Sequence, residues 1–74
     1  MQDLITTREL LHKAVNKAGS RAKLARFLTV SNSPTSQRTI FNWQHFPRRI
    51  RFDALLLMCE LTTTRIQDVR PGAG

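Results

Sequence analysis

The sequence predicts an all-α fold, a small bundle of four helices followed by a short C-terminal fifth. Three observations predict it. Apolar residues return at helical spacings, as in Leu11, Val15 and Ala18 and again in Leu24, Ala25 and Leu28. Residues that cap helix starts stand just ahead of such stretches, at Thr6, Ser20 and Ser36. Gly19 and Pro47 stand where two of the stretches should stop.

With 74 residues the chain is expected to form one domain spanning 1–74, with loose ends at about 1–5 and 71–74. A domain this small buries only roughly 60% of the surface its unfolded chain exposes, so its stability is marginal. A hydrophobic content of 41% supports a small core and argues against disorder. The single cysteine excludes an internal disulfide and fits a reducing cytoplasm. No apolar run reaches the roughly 18 residues of a membrane span, and the start shows no signal-peptide pattern. A net charge of +7 favours a polyanionic partner. Nucleic acid is the common case, an anionic membrane or acidic protein the rarer ones. The plain alternative is a basic surface kept for solubility.

Taken in order, residues 1–5 read as a leader anchored by Ile5. Thr6-Thr7-Arg8-Glu9 matches a capping box, with Ile5 and Leu10 placed for a hydrophobic staple. The first helix should run from Thr7 to about Ala18. Leu11, Val15 and Ala18 form its apolar stripe, with Leu10 and Ala14 beside it, and Gly19 is its stop. Ser20 caps the second helix, whose inner edge is Leu24, Ala25 and Leu28. Thr29-Val30 should leave that helix, with Val30 as the plug between it and the next. Ser31 to Thr35 is all turn chemistry, and Pro34 forbids a continuous helix.

The third helix should run from Ser36 to about Gln44, capped by Ser36 or, alternatively, Thr35. Ile40 and Trp43 lie three residues apart and point inward. Gln37, Arg38, Phe41 and Asn42 fall on the opposite side. Arg matches the two acceptors of guanine, and Asn or Gln the acceptor and donor of adenine, in the major groove. A Phe on the same face suits a thymine methyl better than water. These residues predict a helix that reads base edges, against the alternative of an ordinary amphipathic surface helix.

Arg48, Arg49 and Arg51 then make the densest charge cluster, with Ile50 and Phe52 expected to point inward. Asp53 suits the first turn of a fourth helix. Phe52, Leu55, Leu56 and Cys59 follow its apolar spacing, and Leu57, Met58 and Leu61 widen it. That helix is either central and buried or has a second, partner-facing side, and Met58 is either core or dimer seam. Thr63 is placed to cap a last short turn, with Ile66 and Val69 packing back.

Together these segments resemble the Cro-like helix-turn-helix proteins of phages and prophages, including the branch of YdaS-type antitoxins. Four stretches carry the likeness: AGSRAKLARFLTVS, SQRTIFNW, RIRFDALLLMCELT and TRIQDVRP. It covers roughly residues 10 to 71. Two departures are Thr29, where the family usually has glycine, and about five extra residues near Asn32 to Ser36. Asn32, Ser33 and Thr35 are able to bond phosphate from that insertion. The resemblance implies a Cro/lambda-repressor-like bundle that binds a double-stranded DNA operator in a bacterial or phage-infected cytoplasm. It places Gln37, Arg38, Phe41 and Asn42 at the base-facing positions. Arg21 takes a phosphate position at the start of the first motif helix. Lys23, Ser36, Arg48, Arg49 and Arg51 complete the phosphate contacts. Leu24, Ala25, Leu28, Val30, Ile40 and Trp43 form the core of the motif. A homodimer, at least on DNA, is implied, since one motif reads few base pairs and two copies about 34 Å apart read more.

No cofactor is called for. His12, His45 and Cys59 have no zinc spacing, and Cys59 reads as a small core residue. The scattered carboxylates offer no nucleophile-base pair, so an enzyme is not expected. The rival reading is an antitoxin or antirepressor module that holds an acidic protein through the fourth helix and the basic patch. RNA binding is a third option, though the chain has no aromatic stacking platform of the kind single-stranded RNA readers use.

Overall fold

The computed structural model describes residues 4–70. The elements are β1 (Ile5–Thr6), α1 (Thr7–Ala18), α2 (Arg21–Val30), α3 (Gln37–His45), α4 (Phe52–Thr62) and β2 (Val69–Arg70). Single 3-10 turns, Pro47–Arg49 and Ile66–Asp68, precede α4 and β2. The expected loose residues 1–3 and 71–74 lie outside the described range.

Local chemistry sets the helix starts. Thr6 Oγ1 accepts from the Glu9 amide at 3.1 Å, and Glu9 Oε1 accepts from the Thr6 amide at 3.1 Å, the reciprocal pair of a capping box. Ser20 accepts from the Lys23 amide and Ser36 from the Thr39 amide. Gly19 ends α1 at φ 112°, a backbone that a side chain resists. A Cβ there would also stand 3.2 Å from Lys23 Cδ.

One core joins the helices. Leu10, Leu11 and Ala14 of α1, Leu24, Ala25 and Leu28 of α2, Ile40 and Trp43 of α3, and Ala54, Met58 and Cys59 of α4 are all buried. Val15, Ala18, Ile50, Leu55, Leu57, Leu61 and Val69 pack against them partly buried. Helix α1 is central, packing on α2, α3 and α4. Met58 is fully buried and belongs to the core, not to a seam.

Several expectations are corrected. Helix α2 continues through Thr29 and Val30, and Val30 is 74% exposed at its end, so it is no plug. Ser33, 1% exposed, sits buried behind α2 instead, its amide donating to the Leu28 carbonyl at 2.9 Å. Phe52 is 65% exposed, and Leu56 is exposed with it. The buried side of α4 is centred on Ala54 and Met58, roughly a third of a turn away from the expected stripe. A helix apolar on all sides carries no local signal of which side faces in.

Near the C-terminus, Thr63 does not open a fifth helix. It closes α4 in the left-handed region, at φ 57°. The chain then makes a 3-10 turn without a side-chain cap, from which Val69 packs back while Ile66 stays exposed. Beyond it lies a two-residue parallel ladder that the sequence does not announce: Ile5 pairs with Val69 and Thr6 with Arg70. Ile5 is therefore held, not loose. Among the described residues no helix is long and apolar enough to cross a membrane.

Candidate functional site

Helix α3 is built from both sides. Its inner face is Ile40, fully buried, and Trp43, 2% exposed. Its outer face presents Gln37, Arg38, Phe41 and Asn42, all exposed. These four, with Arg21 from α2, line one open depression of about 480 Å³. The five residues expected to contact DNA here are thus brought together on one surface. None of the chain's five carboxylates lies on α3, so the surface keeps the basic character of the whole molecule.

Arg21 is held in place. Its Nη1 donates to Gln44 Oε1 at 3.2 Å, and its guanidinium carbon lies 5.3 Å from the Phe41 ring centroid. Gln44 is a positioning residue that helical spacing did not single out, though it stands within a turn of Phe41. Phe41 also meets His45 edge-to-face, with centroids 4.8 Å apart. His45 in turn lies 6.4 Å from the Phe46 ring, over which Arg49 sits at 5.1 Å. An exposed row of rings between two guanidiniums is thus present. Phe46 lies beyond the helix and Arg21 on another helix, so no single periodicity shows the row.

The other predicted phosphate contacts divide. Lys23, Arg48 and Arg49 are exposed. Ser36 is exposed, but its hydroxyl serves the start of α3 through Thr39. Arg51 is exposed too, and it also makes contacts within the protein. Its Nη2 donates to Ser33 Oγ at 3.2 Å, the Pro34 carbonyl at 2.9 Å and Thr35 Oγ1 at 2.7 Å. Its Nε pairs with Asp53 at 3.5 Å, and its guanidinium lies 5.5 Å from the Trp43 ring centroid. Arg51 pins the turn before α3 through Nη2 and Nε. Ser33 and Thr35 are buried by the same contacts, which removes them from the phosphate-facing set. Asn32 remains exposed at the tip, at φ 69°.

Two carboxyls titrate below their ordinary range. The Thr6 amide, then its hydroxyl, lowers Glu9. The Ser33 hydroxyl is the main cause for Asp53, helped by the Ala54 amide and the Arg51 charge against an opposing desolvation. A lowered pKa adds stability that is complete above the unfolded value, about 4, and is lost as pH falls through the lower folded value. The melting temperature should therefore drop on acidification below about pH 4. Asp53→Asn should flatten that drop, and an unchanged acid limb in this variant would remove Asp53 from the account.

Burial pushes the Cys59 thiol above its ordinary value, which suits a core residue rather than a nucleophile. Among the described residues no group of three or more His, Cys, Asp or Glu is placed to hold a metal ion. No family model, curated protein or solved structure matches the chain.

Proposed function

We propose that this protein is a sequence-specific double-stranded DNA-binding transcriptional regulator, a Cro-like repressor of a phage or prophage operator. One observation carries the reading: Gln37, Arg38, Phe41 and Asn42 share an exposed depression with Arg21, over a helix anchored by Ile40 and Trp43. Amides and a guanidinium on the outer side of one helix are the groups that read base edges in the major groove. Lys23, Arg48 and Arg49 supply charge for the phosphates beside it. Two copies about 34 Å apart on one face of DNA would give a dimer its half-sites.

Selection from random duplex DNA, followed by binding titrations, tests this. Arg38→Ala and Asn42→Ala should each relax base preference at one position by about 1–3 kcal/mol. Arg49→Ala should weaken all duplexes alike and reduce the salt dependence by about one counterion. Equal losses on selected and random DNA for all three variants would contradict base reading.

A second reading rests on α4. Phe52 is 65% exposed and Leu56 is exposed beside it, one helical turn along. That apolar patch favours an antitoxin or antirepressor module with a protein partner. Labelled duplexes whose fluorescence anisotropy does not rise with added protein at low salt would move the balance to this reading.

A further inference from the structure

We infer that the row Arg21, Phe41, His45, Phe46, Arg49 is a stacking platform for the unpaired bases of a single nucleic-acid strand. This goes beyond duplex reading and does not depend on it. Phe41 is 46% and Phe46 55% exposed, large rings left in water on a domain with little apolar surface to spare. They are not scattered. Ring centroids succeed one another at 4.8 and 6.4 Å with planes inclined by 69° and 53°, and guanidiniums lie over the two phenylalanine rings at 5.3 and 5.1 Å.

The row runs between two hollows. One is the α3 depression with Phe41 on its wall. The other, about 370 Å³, is lined by His45, Phe46, Pro47, Arg48 and Arg49. Major-groove reading uses Phe41 but gives Phe46 no role, because Phe46 lies past the end of α3. An unpaired base has an open π-face to lay on a ring or a guanidinium plane, and its backbone is anionic. Rings flanked by arginines, with no carboxylate among them, match both needs. Such stacking is tolerant of sequence, since every base has a π-face.

The test is fluorescence anisotropy with three labelled probes: oligothymidylate and oligouridylate of about a dozen nucleotides, and a random duplex of similar length. Phe46→Ala should weaken the better single strand at least about fivefold and leave duplex binding unchanged. Phe46→Trp should retain strand binding, which separates stacking from damage to the fold. The tighter of the two single strands identifies the sugar. Arg38→Ala should relax base preference on duplex and Phe46→Ala should not, so failure of this proposal is distinguishable from failure of base reading. The inference is overturned if the parent binds neither strand, if Phe46→Ala binds the strand like the parent, or if it loses strand and duplex equally.

Discussion

Trp43→Ala should cost about 3–5 kcal/mol and leave little of the domain folded at physiological temperature. The indole is 2% exposed and shares the core with Ile40, Leu24 and Leu28. No disulfide stands by to compensate, since the one cysteine is free and buried. A domain of this size has a total stability of only about 5 kcal/mol or a little more. The cavity left under α3 would therefore consume most of it. Thermal melts monitored by circular dichroism measure the effect. Trp43→Phe, which keeps an aromatic ring in the space, should lose less. If Trp43→Ala melts with the parent, the indole does not anchor the helix.

Arg51→Ala should cost about 2 kcal/mol, through loss of hydrogen bonds in the turn rather than through loss of surface charge. The variant removes the donor that Ser33 Oγ, Thr35 Oγ1 and the Pro34 carbonyl share. Ser33 keeps its 2.8 Å bond to Asp53, and Thr35 its 2.8 Å bond to the Ser33 carbonyl, so the turn loosens without coming apart. Lysine should not restore the parent, because it lacks the planar fork that spans the turn and Asp53 together. Urea denaturation gives the stability, and a salt titration of duplex binding separates two roles. A phosphate clamp would change the salt slope by about one on mutation. A turn pin leaves the slope alone. Loss of slope without loss of stability would return Arg51 to the backbone-contacting set.

Much of this molecule was legible because its signals are local. Thr6 with Glu9, Ser20, Ser36, Gly19 and Pro47 mark helix ends through bonds within a few residues, and the observed boundaries lie on or beside them. The outward set on α3 came from spacing around a single buried pair, Ile40 and Trp43. What escaped depends on distant partners or on the absence of contrast. Ser33 and Thr35 look like loop polar residues until Arg51, sixteen or more positions on, folds over them. Phe52 and Leu56 sit in a run of apolar residues that gives no preferred side. The two-residue ladder is too short to show any alternation. Val30 fits a plug by composition alone, yet Thr29 carries α2 past the expected end by bonding back to Ala25 and across to Thr35.

The pairing of Ile5 with Val69 and Thr6 with Arg70 brings the two extremities of the described chain side by side. A short peptide bridging them would leave every internal contact as it is, which is the condition for circular permutation. The backbone could then be reopened at exposed Asn32, in the turn ahead of α3. New termini there would carry a label or a tethered second copy to the immediate neighbourhood of the surface that matters most.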